Sequence, residues 1–450
     1  MTGKASAMDA GARIARFAAG FSRRQLTGAQ RKLAYRALLD TVAVAAAGVN
    51  EPAVMIMRDY VTRLGAGGSS RAWVTGERLA PEFAALLNAV AAHVLDYDDV
   101  MTPMRAHVSA TLVPALTALA GVREVTGGQY AAAFIAGFEV MAKFAHVMAL
   151  DHYSKGWHST SALGVLGTTT ACAVLLGLDE TQIVNALGLA VAQAAGSREN
   201  FGFMAKSFQA AQCAQAAVRA ALLAQAGFDA APTAIDGRYG YMSLYAGRED
   251  MGPALSQLGE GELEIERTGL DVKKYPCCYA LHRGLDALFT LRREHGLTLD
   301  VVERIDVLTS ARGLEALIAG EPMTGLEAKF SMPYALTVGL RDGVIGFASF
   351  ADAALALPEP HAWYDRIRVV EASGPVLPRW TEIRLRLRDG RELALRVQVA
   401  HGDAPDPLTD DELTQKAMDC FALAHLDMDA GAWSRRVLNM TDLALGEILV

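Results

Sequence analysis

Between Gly156 and Leu178 the chain runs for twenty-three residues without an Asp, Glu, Lys or Arg, reading GWHSTSALGVLGTTTACAVLLGL. A segment of that length and polarity belongs either in a bilayer or deep inside a large protein. It carries Trp157, His158 and six Ser or Thr residues, with Ala and Gly prominent among the rest. Polar groups are costly in lipid, so this composition favours a helix enclosed by other helices over a membrane span. A helix that is apolar on every face needs neighbours on every face. The first expectation is therefore a large helical bundle.

Its other members are legible from their ends. Thr27-x-x-Gln30 is a capping box ahead of Arg31–Ala47, and Asp179-x-x-Gln182 is another. Pro52 and Pro81 sit where a first helical turn accepts proline. Gly48, Gly65 and Gly227 stand at helix ends. Ala-rich segments at about 107–124, 129–150, 159–176, 180–195 and 205–226 fill the interval, and Ser70–Val74 has the look of a short strand. No internal repeat is present.

Near residue 260 the period changes. Glu303–Thr309 alternates as a strand does, and Arg366–Val370 resembles another. In 381–399, Thr381, Ile383, Leu385 and Leu387 alternate with Glu382, Arg384, Arg386 and Arg388. Asp389-Gly390 follows, and Leu393, Leu395, Val397 and Val399 continue the apolar face. This predicts a β-hairpin with a two-residue turn and one wet face. Helical runs lie between the strands at about 279–295 and 328–341, and Thr409-x-x-Glu412 caps a return to helix. The expected fold is mainly α: an all-helical domain from residues 1–265 and 403–450, with an inserted smaller α+β domain over 266–402. A cleft between two such domains is the default place for a small-molecule site.

Composition narrows the function. The net charge is −8 with both signs mixed along the chain, and no basic run suits nucleic acid. The five cysteines are odd in number and form no C-x-x-C pair, a reduced intracellular pattern that also argues against a structural zinc. The N-terminal segment, including Asp9, lacks an apolar signal region, which leads to the expectation of a cytoplasmic chain. Dinucleotide, nucleotide-triphosphate, metalloprotease and α/β-hydrolase signatures are all missing from the sequence.

Five polar segments stand out in these apolar surroundings. His93-x-x-Asp96-Tyr97-Asp98-Asp99 ends an apolar helix, and carboxylates this close push at least one another's pKa upward, which suits acid–base work. The alternative is a set of acidic residues facing solvent. Arg105-Ala-His107-Val-Ser109 precedes the next helix, as a carboxylate anchor or as simple caps. His158 leads into the uncharged segment, as a functional group or a core histidine. Lys206 opens a nearly uncharged helix and needs an anion, either a substrate carboxylate or an internal Asp. Lys273-Lys274-Tyr275-Pro276-Cys277-Cys278, with His282 one turn on, begins the α+β segment; the vicinal cysteines read better as small buried residues than as nucleophiles.

Together HVLDYDDV (93–100), HVSATLVPAL (107–116), the segment 156–190, MAKSFQAAQCA (204–214), KKYPCCYALHRGLDAL (273–288) and AKFSMPYALTVGLRDG (328–343) resemble the MmgE/PrpD family. That family includes 2-methylcitrate dehydratases, cis-aconitate decarboxylases and iminodisuccinate epimerase. The resemblance implies a homodimer of helical and lid domains, with neither metal nor organic cofactor. It implies Asp96, His107, His158, Lys206 and Lys273 as catalytic residues. Arg105, Ser109, Lys274 and His282, read from the same polar segments, are available to bind substrate. The sequence departs from the family pattern at Val100, Val108 and Gln209, where relatives carry threonine, proline and a small or His-containing stretch.

The implied chemistry is proton removal beside a carboxylate, with cations holding the developing charge. Dehydration of a 2-methylcitrate-type acid is the leading expectation. Epimerisation of an amino- or imino-dicarboxylate and cis-aconitate-type decarboxylation share the same carbanion-like state, and a helical scaffold without catalysis is the reading from another class.

Overall fold

The computed structural model describes residues 10–247 and 251–449. The residues up to Asp9 in the N-terminal segment lie outside the described residues. The protein is mainly helical and divides into two compact units. One comprises residues 1–199, 204–271 and 409–450, and the other 200–203 and 272–408. The divisions expected after residues 265 and 402 fall slightly before these boundaries.

The first unit is a bundle whose inner helices bury residues on every face. Helix Gly164–Leu176 is buried at each of its positions, and helix Ser109–Leu119 likewise. The uncharged segment breaks at Leu163 into helices Ser159–Ala162 and Gly164–Leu176. Two stretches, Gly127–Met148 and Ser159–Leu176, are long and apolar enough to cross a membrane, yet the apolar eighteen-residue run in each is 89% and 100% buried inside the protein. Small residues permit that packing. Gly137, on helix Gly127–Ser154, and Gly167 face one another so closely that a Cβ on Gly137 would stand 2.7 Å from the Gly167 carbonyl.

Local signals set the helix ends. Thr27, Asp179 and Thr409 each form the reciprocal capping box expected of them. A further box, Thr126 with Gln129, opens helix Gly127–Ser154. The strand expected over Ser70–Val74 lies earlier, at Gly67–Arg71, paired with Arg78–Leu79. Val74 is unable to extend it because it sits in the connecting turn with φ of 65°.

In the second unit a four-stranded sheet has the order Ile367–Glu371, Val302–Thr309, Thr381–Leu387, Glu392–Val397. The first pair is parallel and the others antiparallel. Ile305, Val307, Ile383 and Leu385 of the sheet share a core with Leu285 and Leu288 of helix His282–His295 and with Leu336 and Leu340 of helix Met332–Asp342. The hairpin forms, but its turn is longer than two residues. Leu387 N–H donates to Arg391 O, closing a three-residue loop. Gly390 takes φ of 88° and the Asp389 carboxylate accepts from Arg391 N–H. This is the type I turn plus left-handed glycine that three-residue hairpins favour.

All five cysteines are buried thiols, the vicinal Cys277 and Cys278 included.

Candidate active site

Helix Pro81–His93 ends at His93, and the chain enters a loop whose three carboxylates turn inward. Asp96, Asp98 and Asp99 are all at most 2% exposed, so the solvent-facing alternative does not hold. Asp96 adopts φ of 52°, a left-handed conformation that Asp tolerates better than most residues. The loop is tied down along its length. Lys416, on helix Asp410–Leu423, donates to Tyr97 O at 2.9 Å, lies over the Tyr97 ring at 3.8 Å and pairs with buried Asp40 at 2.6 Å. Asp99 accepts from the Ser109 hydroxyl and from Ser109 N–H. Val100 exchanges backbone hydrogen bonds with Asp271. His107 N–H donates to Thr160 Oγ1 at 3.1 Å.

These anchors bring side chains from four places in the chain together within the first unit. Asp98 Oδ2 stands 2.9 Å from His93 Nδ1 and 3.1 Å from His107 Nδ1. His107 Nε2 lies 3.4 Å from Asp96 Oδ1, and Lys206 Nζ lies 2.5 Å from the same oxygen. The His93 ring meets His107 edge-on at 4.4 Å and stacks with His158 at 6.1 Å. Gln209, one turn beyond Lys206 on helix Ala205–Gln225, reaches His158 Nδ1 at 3.2 Å.

Burial and charge act against each other here. Burial alone would raise Asp98, but His107 and His93 outweigh it and hold the carboxyl well below its ordinary range. Asp98 is thus an ionised group between two imidazoles. Burial pushes Asp99 the other way, and with Asp40 nearby it rises to about 8. Burial lowers His93 despite the pull of Asp98. Burial, followed by the positive charge of Lys206, holds His158 well below the imidazole range. His107 keeps 12% of its side chain exposed, whereas the His93 side chain is wholly enclosed.

Four of the five expected catalytic residues, Asp96, His107, His158 and Lys206, therefore share one cluster. Lys206 has an internal Asp as its partner. Lys273 belongs to the second unit and is buried there. Lys274 lies 3.7 Å from Asp286 and over the Tyr275 ring, and His282 Nε2 is 3.4 Å from Cys277 O, all in the second unit. In the first unit Ser109 serves Asp99, and the Arg105 guanidinium lies over the Tyr153 ring at 4.2 Å, as does that of Arg198 at 3.9 Å.

Sequence reasoning placed His93 and Asp98 in a segment suited to acid–base work but gave neither a role of its own, and it did not single out Asp40 or Lys416. His93 and Asp98 are five positions apart across a loop, a spacing that no helical or strand period pairs. Lys416 is 319 residues from its Tyr97 acceptor. The sequence offered only a lone lysine in a helix whose other charged residues are acidic.

His93, Asp96, Asp98 and His107 place one ligand-type atom each within 4.8 Å of one another. Two imidazoles and two carboxylates are donor types that a divalent ion accepts. The Lys206 ammonium on Asp96 competes for that carboxylate and repels a second cation.

The MmgE/PrpD N-terminal domain matches residues 12–254, and the MmgE/PrpD C-terminal domain matches residues 275–430. The chain belongs to the MmgE/PrpD family. Among its MmgE/PrpD relatives, cis-aconitate decarboxylase of Homo sapiens is 26% identical over 396 residues, which is 85% of this chain and 81% of that enzyme. The Mus musculus cis-aconitate decarboxylase is 26% identical over 399 residues, 85% and 80% of the two chains. A cis-aconitate decarboxylase of Aspergillus terreus is 25% identical over 316 residues, 66% of this chain and 64% of its own.

Proposed function

We propose that this MmgE/PrpD chain is a cofactor-independent lyase of a small polycarboxylic acid, and that it works by decarboxylation in the manner of its cis-aconitate-decarboxylating relatives. The observation that carries the reading is the position of His107, between the carboxylates of Asp96 and Asp98 and next to the Lys206 ammonium. The relatives' names favour decarboxylation over the dehydration expected from sequence.

The chemistry asks for two things. When the C–C bond to a carboxylate breaks, CO2 departs and the electron pair stays on carbon. A nearby cation lowers the energy of that negative charge, and a proton donor then quenches it. Lys206 supplies the cation. His107 supplies the proton, oriented by Asp96 and ionised Asp98, and its partial exposure lets solvent restore it. Dehydration would use the same groups in another order, taking a proton from carbon and expelling hydroxide as water.

Proton NMR in deuterated water tests the reading. Protein is mixed with cis-aconitate, 2-methylcitrate, citrate and substituted aspartates. The expected result is CO2 release from cis-aconitate, with one deuterium in the product for each CO2. A new double bond without CO2 from a hydroxy acid would replace decarboxylation with dehydration. Exchange of a C–H hydrogen for deuterium at an sp3 carbon, with no loss of CO2 or water, would replace the lyase with an epimerase.

A further inference from the structure

Gln209 stands at a position where the side-chain amide can face only one way. Ser197 N–H is a donor and nothing else, and it bonds Gln209 Oε1. Ser197 O is an acceptor and nothing else, and it receives Gln209 Nε2 at 3.1 Å. Two backbone groups of one residue thus fix which end of the amide is oxygen and which is nitrogen. The second hydrogen of that NH2 is directed at His158 Nδ1, 3.2 Å away.

A donor must meet a lone pair. His158 Nδ1 therefore carries none of the ring's hydrogen, and the neutral imidazole holds its proton on Nε2. Protonating the ring at Nδ1 would set N–H against N–H and break this bond. The backbone around the pair is rigid. His158 N–H donates to Gly196 O at 3.1 Å, and Trp157 and Ser197 form a β-bridge. Gly196 takes φ of 128°, and a Cβ there would lie 3.2 Å from the His158 Cβ, so only glycine lets the strand segment pass this closely.

We propose that Gln209 is a positioning residue that locks His158 in the neutral Nε2–H form, so that His158 meets substrate as an uncharged hydrogen-bond donor and not as the base. The role toward substrate rests on the polycarboxylate reading above; the lock itself does not. The surrounding charges agree with the lock. Lys206, on the helix that carries Gln209, His93, at the end of its own helix, and His107 all oppose a positive ring, and Asp96 favours one. A neutral imidazole N–H can polarise a carboxylate or a developing enolate-type oxygen without a proton leaving the ring. Its one lone pair is already held by Gln209. Proton transfer is left to His107.

The test is long-range 1H–15N correlation of the full chain labelled at its histidine nitrogens, with His158 assigned by the signal lost in His158→Gln. The expected spectrum has His158 Nδ1 in the unprotonated range and Nε2 in the protonated range, unchanged from pH 8 to pH about 5, well below the ordinary imidazole pKa of about 6.5. In Gln209→Glu a carboxylate oxygen replaces the NH2, and Nδ1 becomes protonated. In Gln209→Leu the donor is removed, and both tautomers exchange. Either folded variant, judged by its melting transition, must show the change. A protonated Nδ1 in the wild type, or His158 signals unmoved in both folded variants, would overturn the lock. Kinetics separate the two claims. If the spectra follow expectation and no polycarboxylate turns over, the functional reading fails and the lock stands. If turnover occurs and Gln209→Glu leaves kcat and its pH profile unchanged, the role of His158 as neutral donor fails.

Discussion

Lys206 Nζ lies 2.5 Å from Asp96 Oδ1, and both side chains are more than nine-tenths buried. A buried ion pair is asymmetric in its energetics: removing one member strands the other without water. Lys206→Met should therefore destabilise the protein by about 3–5 kcal/mol, and Asp96→Asn by a comparable amount. The double variant should recover most of that loss, because neither charge remains. Urea denaturation of the four proteins reads this directly. If the pair also serves chemistry, the stable double variant still loses activity by about a hundredfold or more. Full activity in it would mean that the pair only supports the fold.

Asp99 gives a pH dependence with a definite sign. Burial raises its folded pKa to about 8, from an ordinary carboxylate value of 3.8. Between those values the folded state holds a proton that the unfolded state has released. Stability contributed by this group is therefore present below pH about 4 and is lost as pH rises towards 8. Asp99→Asn mimics the protonated acid: its oxygen accepts from Ser109 N–H, and its NH2 donates to the Ser109 hydroxyl. Urea midpoints from pH 5 to 9 should fall less with pH in the variant than in the wild type. Parallel curves would show that Asp99 does not titrate in this window.

Close helix packing predicts opposite outcomes for two glycines. A Cβ on Gly137 would stand 2.7 Å from the Gly167 carbonyl and 2.8 Å from the Ala171 Cβ. Gly137→Ala should therefore cost about 1–3 kcal/mol through overpacking. Gly20, in helix Ala10–Phe21, has nothing within 4 Å of an added Cβ. Gly20→Ala should raise stability by about 0.5–1 kcal/mol, since alanine loses less backbone entropy in a helix. Thermal melts of both variants check the pair.

Chelation addresses the His93, Asp96, Asp98 and His107 set. With the Lys206 ammonium on Asp96, activity should survive prolonged dialysis against a strong chelator. A loss of turnover that a divalent ion restores would instead assign these four groups as its ligands.

The sequence by itself determined what depends on neighbours along the chain. Thr27, Asp179 and Thr409 cap their helices because a side-chain oxygen and the N–H groups it meets are three residues apart. The alternation from Thr381 to Leu387 places one face of a strand against a core at any register that buries it. The polar segments that hold the candidate residues were legible because they stand in apolar surroundings, where a polar group needs a partner; their catalytic roles came from the family resemblance. Tertiary structure alone decided how they combine. Asp96 and Lys206 are 110 positions apart, and Gln209 and His158 are 51 apart. Lys206 as a sequence feature asked for an anion without naming it. The fold chose Asp96, set Asp98 between His93 and His107, and turned Gln209 towards Nδ1 of His158. Proton positions follow from those distances, which no spacing along the chain encodes.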